Sequence, residues 1–423
     1  MKSAAGGGQC QHVERVLVVG SGAREHALAW RLARDGAQVV VAPGNGGTPE
    51  SRPVSVTDLA GVADLAEREH IDLTVVGPEA PLADGIVDVF QARGLAIFGP
   101  TRAAARLEWS KAWTKEFLGQ HGLPSAAFDV VATEAEARRV LARRGLPVVL
   151  KADGLAAGKG VFVCYTQPEA EHGLRALFGG QVPGAQQVVV EDCLDGVECS
   201  VLALSDGERV SLMPPARDYK RLADGDRGPN TGGMGGYTWP SYATPDLLAD
   251  IAGRILQPTV AAMAALGASY RGVLYAGLML TADGPMLLEY NCRFGDPECE
   301  LILPLLEGNL ADVLWQVANG SLRENDVPWR RERTYGVVLA AAGYPDAPRR
   351  GDPIAGLGSI GDDVHVFHAG TARDGDVLVT SGGRVLTLVG TSRQAVYGAV
   401  DRVHFEGKQF RHDIGELERV ASA

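Results

Sequence analysis

The chain has 423 residues, of which 46% are apolar and 22% are charged, and both fractions are ordinary for a globular protein rather than a disordered or fibrous one. At about 150 residues per domain, this length predicts roughly two to four domains. The net charge is -12 and there is no long basic run, so the chain is not expected to bind nucleic acid or an anionic membrane.

The sequence also predicts neither a targeting signal nor a cysteine-based site. No stretch approaches the roughly 18 apolar residues of a membrane-spanning helix, and residues 1–12 lack the apolar core of a signal peptide. The six cysteines form no C-x-x-C pair, so neither a zinc site nor a disulfide framework is predicted. We therefore expect a cytoplasmic protein with free thiols and a disordered, Gly-rich leader at residues 1–12.

Short apolar strands alternate with helices over residues 13–113. The predicted strands are 13–19, 37–42, 71–76 and 95–98, and the predicted helices include 25–34 and 58–69. Alternation through short Gly/Pro loops predicts a parallel, doubly wound α/β sheet. Such sheets bind ligands at the carboxyl ends of their strands.

The pattern changes after residue 113. Residues 114–330 read as an α+β region, with helices at 114–121 and 134–144 and with strand pairs 148–150/161–164 and 273–280/286–289. Residues 331–423 carry short β-like runs at 336–342, 363–367, 377–379 and 385–389. The sequence thus predicts a multidomain protein with a small β-rich C-terminal domain.

A glycine cluster, Gly20-Ser21-Gly22, follows the first strand and opens a helix. Free backbone amides at such a position can hold a phosphate. The cluster is close to a dinucleotide-binding fingerprint, but Glu25 stands where the third glycine is required. Arg24 suits a phosphate beside free amides. A tight turn without a ligand remains the alternative.

The segment KADGLAAGKG, from Lys151 to Gly160, lies between two predicted strands. It is not a Walker A loop, because only three residues separate Gly154 from Gly158 and the chain continues as a strand. Its amides, with Lys151 and Lys159, could close over a triphosphate. We therefore predict a nucleotide-binding hairpin, with a mobile surface hairpin as the alternative.

An acidic cluster follows a predicted strand at residues 188–191. Glu191 could accept a hydrogen bond from the exocyclic amine of adenine, and Glu198 could bind the ribose hydroxyls. Such a cluster alone is more often a solvated turn. Beside the lysine hairpin, it indicates an adenine pocket.

Glu289 and Asn291 form the sharpest motif, because residues two apart on a strand project from one face. Their oxygen atoms suit Mg²⁺, which keeps several waters and bridges nucleotide phosphates. Arg293 continues this face and could neutralise charge on a transferring phosphoryl group. A structural reading would require specific hydrogen bonds for both buried polar side chains.

Two further features are less specific. Residues 228–237 form a predicted Gly-rich loop after Asp218 and Lys220, and its amides could hold an anion or a small carboxylate, unless it is a plain connection. His365 and His368 lie three apart on a predicted strand and therefore on opposite faces, so we interpret them as structural.

In chain order, these segments resemble the phosphoribosylamine–glycine ligase family of the ATP-grasp superfamily. The similar segments span about residues 20–386 and read GSGAREHALAW, APGN, VGPEAPL, KADGLAAGKGV, GPNTGGMG, LYAGLM, NCRFGDPE, VFHAGT and GGRVL. The resemblance implies a Rossmann-like N-terminal domain at 13–113, a two-lobed ATP-grasp at 114–330 with its lid lobe at about 125–200, and a β-rich C-terminal domain at 331–423.

The resemblance also implies a reaction. ATP, with Mg²⁺ or Mn²⁺, would phosphorylate the carboxylate of glycine, because a carboxylate is a poor electrophile without a leaving group. The amine of 5-phosphoribosylamine would then attack glycyl phosphate and give glycinamide ribonucleotide, ADP and phosphate, the second step of de novo purine biosynthesis. The partners would be these small molecules only, and the protein would be a monomer or a homodimer.

Site roles follow from the matching positions. The resemblance implies ATP contacts at Lys111, Lys151, Gly154, Gly158, Lys159, Gly160, Glu191, Leu194 and Glu198. It implies metal ligands at Glu289 and Asn291, and catalytic roles for Arg293, Lys220 and Lys159. It implies substrate contacts at Gly20, Gly22, Arg24, Glu25, Asn45, Glu79, Asp218, Thr231, Gly232, Gly233, Gly295 and Asp296.

Three positions depart from the usual pattern. The strand around Tyr275 offers no acidic metal ligand, Cys193 stands where an aromatic residue is common, and Trp109 stands where a glycine is common. The alternatives are another ATP-grasp ligase or carboxylase with a different acceptor, a nicotinamide oxidoreductase built on the first domain, and a non-catalytic nucleotide sensor. The Gly-rich loop, the lysine hairpin and the Glu289/Asn291 pair argue against these in turn.

Overall fold

The computed structural model describes residues 13–155, 160–182, 187–323 and 327–416. The predicted leader and two predicted ATP contacts, Gly158 and Lys159, lie outside the described residues. In the described ranges, no helix has both the length and the apolar character required to cross a membrane.

The N-terminal part is a four-stranded parallel sheet in the order β2-β1-β3-β4. Its strands are β1 (Arg15–Gly20), β2 (Gln38–Pro43), β3 (Leu73–Val76) and β4 (Ile97–Phe98), and its helices are α1 (Ala23–Arg34), α2 (Leu59–Arg68), α3 (Glu79–Asp84) and α4 (Ile86–Ala92). The predicted doubly wound α/β sheet is confirmed, and its strands carry the buried apolar side chains that the pattern indicated.

Two helices, α5 (Arg106–Trp109) and α6 (Lys111–Gln120), lead into a separate antiparallel sheet of the order β5-β8-β6-β7. Its elements are β5 (Phe128–Val131), α7 (Glu134–Arg144), β6 (Val148–Ala152), β7 (Val161–Cys164), α8 (Gln167–Phe178) and β8 (Val188–Asp192). The apolar sides of α7 and α8 pack on this sheet around Leu150 and Val190. This small lobe carries Lys151 and Glu191 on neighbouring strands.

A nine-stranded sheet forms the rest of the core, in the order β16-β15-β9-β11-β14-β17-β21-β18, with β10 paired to β9. Its strands are β9 (Val197–Asp206), β10 (Val210–Leu212), β11 (Ala216–Asp218), β14 (Gly235–Thr238), β15 (Arg271–Thr281), β16 (Gly284–Asn291), β17 (Tyr335–Ala340), β18 (Val364–His368) and β21 (Arg384–Gly390). Because β14 pairs with β17, the sheet runs from the central region directly into the C-terminal region.

The remaining elements cover this sheet or form short hairpins. The helices are α9 (Pro245–Ile251), a π-helical stretch at Ala252–Leu256, α10 (Gln257–Ala265), α11 (Glu298–Ile302), α12 (Leu310–Ala318) and α13 (Arg393–Arg402), with 3-10 turns at Leu303–Leu305 and Leu357–Ser359. Two hairpins pair β12 (Arg221–Ala223) with β13 (Arg227–Asn230), and β19 (Thr371–Asp374) with β20 (Val377–Thr380).

The prediction of one continuous loop at residues 228–237 is wrong, because β13 and β14 form its two ends. The glycines of β14 serve close backbone packing there. A Cβ at Gly235 would lie 2.3 Å from the carbonyl oxygen of Gly336, and a Cβ at Gly236 would lie 2.2 Å from that of Arg217. Any side chain would therefore force the neighbouring strands apart.

Among the contacts that join helix α1 to the rest of the protein are three hydrogen bonds from one buried arginine. The guanidinium of Arg31 is buried and donates to the carbonyl oxygens of Leu303, Leu306 and Gly308 at 3.3, 2.8 and 2.7 Å. Asp35 accepts from the same guanidinium at 2.9 Å and balances its charge. The N-terminal edge of the site is thus held by buried hydrogen bonds as well as by apolar packing.

Replacing Arg31 by Met should lower the free energy of unfolding by about 3 kcal/mol, because three buried carbonyls and one carboxylate lose their donor. Urea unfolding would measure the loss. Arg34→Met is the matched control, since the exposed Arg34 only lies over the Trp30 ring and its loss should cost less than about 1 kcal/mol. Equal losses in the two variants would contradict this role for Arg31.

Candidate active site

The predicted metal pair lies at the end of β16. The register between β15 and β16 shifts at Gly277, which faces Glu289, and the strand then places Glu289 and Asn291 on one face with the buried Tyr290 between them on the other. Both polar side chains are half-buried. The shared face that the two-residue spacing predicted is therefore present.

The Glu289 carboxylate makes no hydrogen bond or ion pair with any of the described residues. Burial would raise the pKa of its carboxyl group, but the charges of nearby basic side chains outweigh burial and lower it. The first three of these are Lys220, Lys151 and Lys111. An ionised carboxylate with free lone pairs, beside the amide oxygen of Asn291, fits a divalent cation that completes its coordination with water and phosphate oxygens.

Arg293 is fixed at the same edge by three groups. Its guanidinium donates to Asn291 Oδ1 at 3.1 Å and to Glu79 Oε2 at 3.1 Å, and it lies 3.4 Å from Glu108 Oε1. Burial would lower its pKa, but the two carboxylates raise it, so the guanidinium stays charged. Because Arg293 donates this hydrogen bond, Asn291 presents its amide oxygen, and not its amide nitrogen, to the guanidinium.

Glu108 was not identified from the sequence. It lies on the four-residue helix α5, where it also accepts a hydrogen bond from the Cys292 amide at 2.7 Å. Burial is the largest influence on its carboxyl group and raises its pKa. No local pattern marks such a residue, because its partners are far away in the chain.

The predicted nucleotide residues converge between the two lobes. Lys151 pairs with the Glu191 carboxylate and donates to the Leu288 carbonyl at 3.0 Å. Lys111 donates to the Gly154 carbonyl at 3.1 Å, at the start of the lysine hairpin. The structure thus brings together Lys111, Lys151, Gly154 and Glu191, which are distant in sequence.

A second buried lysine, Lys115, was also missed by the sequence analysis. Its Nζ lies 2.6 Å from Glu191 Oε2, and both side chains are almost inaccessible to solvent. Burial lowers the pKa of Lys115, and the charge of Glu191 partly offsets this. Lys111 and Lys115 are four apart on α6, a spacing that could have indicated two lysines on one helix face.

Three further predicted site residues follow β8 in the chain: Leu194, Glu198 and Lys220. Glu198 is exposed on β9 and its Oε2 lies 3.4 Å from Lys220 Nζ, while Leu194 is half-buried in the β8–β9 connection. A small cavity beside them is lined by Glu198, Ser200, Asp218, Lys220, Gly277 and Leu288.

Asp218 faces this cavity with an acceptor that is not used. Its Oδ1 is buried and has no hydrogen-bond partner among the described residues. Burial, followed by the charge of Glu298, raises the pKa of Asp218 well above its usual range. An unpaired buried acceptor of this kind favours binding of a donor group from a ligand.

Glu298 lies nearby on α11. Its Oε1 accepts from Tyr275 Oη at 2.7 Å and from Ser200 Oγ at 3.2 Å, and a Cβ on Gly295 would meet its Oε2 at 2.1 Å. The strand around Tyr275 offers no carboxylate of its own, and a helix supplies one beside it instead. Gly295 therefore makes room for the Glu298 carboxylate.

The glycine turn after β1 is shaped by Glu25. Its Oε2 accepts from the Gly22 amide at 2.5 Å and its Oε1 accepts from Arg24 Nε at 2.6 Å, so the buried carboxylate is satisfied inside the turn. A Cβ on Gly20 or Gly77 would lie within 2.5 Å of its side-chain atoms. These glycines thus provide space for Glu25, a reason that their spacing did not reveal.

Asn45, another predicted substrate residue, already makes hydrogen bonds within the protein. The Asn45 amide donates to Ser21 O at 2.9 Å and to His368 O at 2.7 Å, and it thereby joins the glycine turn to β18. His368 and His365 pack beside α1 through their ring contacts with His26 and Trp30. This packing agrees with their structural interpretation.

An arginine of the C-terminal region, Arg384, contacts the segment 231–234 that joins β13 to β14. Arg384 on β21 pairs with Asp296 Oδ1 at 3.1 Å, donates to the Asp296 carbonyl at 2.9 Å, and also donates to the Gly232 carbonyl. Thr231 Oγ1 accepts from the Gly233 amide at 3.0 Å. Arg384 was not among the predicted site residues, although its segment GGRVL was noted.

A lysine-bearing antiparallel lobe that faces a strand with a Glu-x-Asn pair defines an ATP-grasp ligase. More specifically, the chain belongs to the phosphoribosylglycinamide synthetase family. The family's N domain matches residues 14–108, its ATP-grasp (A) domain matches residues 109–299 and its C domain matches residues 334–417.

Full-length relatives agree with this assignment. The phosphoribosylamine–glycine ligase of Ralstonia nicotianae is 49% identical over 95% of this chain and 98% of that protein. The Yersinia pestis ligase is 45% identical over 95% of this chain and 98% of its own length. The crystal structure of the Thermotoga maritima ligase, 36% identical, superposes with a TM-score of 0.82 over 95% of this chain and 100% of that chain.

Biotin carboxylase of Campylobacter jejuni shares the fold alone, at 14% identity and a TM-score of 0.69 over 94% of this chain and 93% of that chain.

The family match and the full-length relatives confirm the predicted family, the fold class and the enzyme class, a C–N bond-forming ligase. The alternative of a nicotinamide oxidoreductase is wrong. The family also confirms ATP and a divalent metal in general terms.

The acid stability of the protein should depend on Glu79. Burial would raise the pKa of Glu79, but the charges of Arg293 and Arg24 lower it from 4.5 to about 2. A carboxyl group with a depressed pKa stabilises the folded state above pH 4.5, and this contribution is lost as the pH falls toward about 2. Glu79→Gln should therefore flatten the fall in stability below pH 4.5.

Urea unfolding between about pH 5 and about pH 3 would test this. Glu208→Gln, which changes an exposed carboxylate, is the control and should keep the slope of the wild type. If Glu79→Gln loses stability with falling pH as steeply as the wild type does, then Glu79 is not coupled to the arginines in the way described.

Proposed function

We propose that this protein ligates glycine to 5-phosphoribosylamine, with conversion of ATP to ADP and phosphate, and so forms glycinamide ribonucleotide in purine biosynthesis. The observation that carries the proposal is the ionised Glu289 carboxylate beside Asn291, which has no partner among the described residues and is set among lysines in a chain whose full-length relatives bear this activity in their names.

Glu289 and Asn291 would hold Mg²⁺ or Mn²⁺, and the bound ion would neutralise phosphate charge and orient ATP. Lys111 and Lys151 are two of the described cations near this pair, beside Lys220 and Arg293, and Lys159 remains a predicted contact. We assign phosphate binding to these lysines, since their charges already act on the Glu289 carboxyl group.

The nucleoside would lie between Glu191 and Glu198. Glu191 would accept from the adenine amine, the Leu194 backbone would contact the ring, and Glu198 would bind the ribose hydroxyls. Lys115 would remain paired with Glu191 when Lys151 turns to the phosphates. In this way the Glu191 charge stays balanced throughout binding.

In the first step, a carboxylate oxygen of glycine attacks the terminal phosphorus of ATP and ADP leaves. Arg293, held in place by Glu79 and Glu108, would neutralise charge on the phosphoryl group. The unpaired Asp218 Oδ1 offers an acceptor for the glycine ammonium group. Lys220, 3.4 Å from Glu198, lines the same small cavity as Asp218.

In the second step, the amine of 5-phosphoribosylamine attacks the acyl carbon, the new C–N bond forms and the C–O bond to phosphate breaks. The phosphate leaves with the bonding electron pair and the amine gives up a proton. The sugar phosphate would bind beside the glycine turn, and because Glu25 already accepts from the Gly22 amide and from Arg24 Nε, it would use the other donors of this segment. Exclusion of water from the occupied site would protect glycyl phosphate from hydrolysis.

The proposal includes a cytoplasmic location and small-molecule partners without nucleic acid or membrane, as the acidic net charge of -12 favours. It allows a monomer or a homodimer.

The test is ADP formation with Mg-ATP, glycine and freshly generated 5-phosphoribosylamine, with each component omitted in turn. We expect ADP only from the complete mixture, with glycinamide ribonucleotide detected by mass. Glu289→Ala should lower turnover by about 100-fold or more, because the metal supplies several kcal/mol of charge stabilisation. The exposed Glu406, changed to Ala, is the matched control and should leave turnover unchanged.

Other outcomes would point elsewhere. ADP that forms equally well without the ribosylamine, or only with bicarbonate, would mean a different acceptor or reaction on the same fold. No turnover under any mixture, with ATP still bound, would favour a nucleotide sensor.

A further inference from the structure

The hairpin formed by β12 and β13 projects from the main sheet between two predicted substrate segments. Its two strands pair only with each other among the described strands, and most of their residues are exposed. An isolated two-stranded hairpin is at best marginally stable in water. Its position must therefore depend on contacts from outside the hairpin.

The base of the hairpin carries site residues. Lys220 precedes β12 and Thr231 follows β13, and the Lys220 carbonyl accepts from both the amide and the hydroxyl of Thr231 at 2.8 and 2.9 Å. A displacement of the hairpin would therefore move Lys220 and Thr231 together. Asp218 and Gly233 flank the same base, and a Cβ on Gly233 would lie 2.7 Å from Asp218 Oδ1.

The outside contacts come from three consecutive residues near the C-terminal end of the described chain. Among the described residues, every hydrogen bond that reaches residues 221–230 from outside residues 220–231 comes from Arg411, His412 or Asp413. His412 binds Asp224 through its amide at 2.8 Å and through its ring Nδ1 at 3.0 Å.

Arg411 is the centre of this anchor. Its guanidinium is 1% exposed, donates to Asp226 Oδ1 at 2.7 Å and to the Arg221 carbonyl at 3.1 Å, and binds both oxygens of Asp413 at 2.7 and 2.6 Å. Asp413 in turn accepts from the Gly225 amide at 2.9 Å. One buried cation thus joins β12 and the turn of the hairpin.

The guanidinium of Arg411 also packs over an aromatic ring. It lies 4.6 Å from the centre of the Tyr219 ring, and Tyr219 stands between the site residues Asp218 and Lys220. The Tyr219 hydroxyl accepts from the Gly415 amide at 3.2 Å. Arg411 therefore contacts the segment that carries Lys220 on one side and the hairpin on the other.

We propose that Arg411 is a positioning residue that sets the hairpin, and through it Lys220 and Thr231, for binding of glycine and the ribosylamine. It touches no substrate itself. The inference rests on the proposed function for the identity of those substrates, but the anchoring of the hairpin does not. ATP binding should depend on it far less, because Lys111, Lys151 and Glu191 make their contacts on other elements, and only the Lys220–Glu198 pair links the base of the hairpin to the proposed nucleotide residues.

The test compares Arg411→Met and Arg411→Lys with the wild type in steady-state kinetics and in hydrogen exchange at residues 221–230. Arg411→Met should raise KM for glycine or for the ribosylamine by about tenfold or more, since small displacements at a site are costly, while KM for ATP stays within about twofold. Arg411→Lys keeps the charge but not the forked geometry, so it should fall in between. Exchange in the hairpin should be faster in both.

A second variant guards against misfolding of the first. Asp226 is exposed and has a positive φ of 54°, so Asp226→Gly removes one partner of Arg411 without backbone strain or a buried vacancy. It should show the same pattern, more weakly. Arg138→Met, which breaks ion pairs with Glu134 on α7 and Glu171 on α8, away from the hairpin, is the control and should change neither readout.

Unchanged exchange in the hairpin, or substrate KM values that stay at the wild-type level, would overturn the role of Arg411. An equal rise in all three KM values would overturn it as well, because that pattern indicates general destabilisation. If the wild type itself makes no glycinamide ribonucleotide, the proposed function fails, and the exchange comparison still decides whether Arg411 anchors the hairpin.

Discussion

The buried guanidinium of Arg293 is the interaction on which the site depends most. It joins Asn291 of the metal pair to Glu79 from the N-terminal sheet and to Glu108 from the helix that precedes the lysine-bearing lobe. Removing any one of these partners would leave a buried charge without full compensation, which is costly in a protein interior. This one side chain therefore ties three segments together where phosphoryl transfer would occur.

The C-terminal region takes part in the site because the central sheet does not end where the ATP-grasp elements end. Pairing of β14 with β17 continues the sheet into β21, and β21 carries Arg384 to the backbone of Gly232 and to Asp296. Arg411 reaches the neighbouring hairpin in the same way. A small C-terminal domain thus contacts the segment that we propose for the acceptor, although the residues proposed for the nucleotide lie on other elements.

Local patterns predicted the parts of the site that lie within a few residues of one another. The strand-glycine-helix turn at Gly20 and the shared face of Glu289 and Asn291 follow from the periods of helices and strands, which act over a few residues. The loop at 228–237 was mispredicted, because its glycines permit close strand packing rather than a flexible turn, and that requirement is set by Gly336 and Arg217. Composition alone does not distinguish the two uses of glycine.

By itself, the sequence determined the α/β order of the N-terminal sheet, the shared strand face of Glu289 and Asn291 and, through its resemblance, the family, while the roles of that pair and of the lysine hairpin stay predictions. Only the tertiary structure decided that Lys115 shares the Glu191 charge, that Glu108 holds Arg293, that Arg384 binds the Gly232 carbonyl, and that Arg411 binds the β12–β13 hairpin. The physical reason is the range of the interactions. Backbone periodicity acts between near neighbours, whereas a buried charge is balanced by whichever opposite charge the fold brings within hydrogen-bond distance.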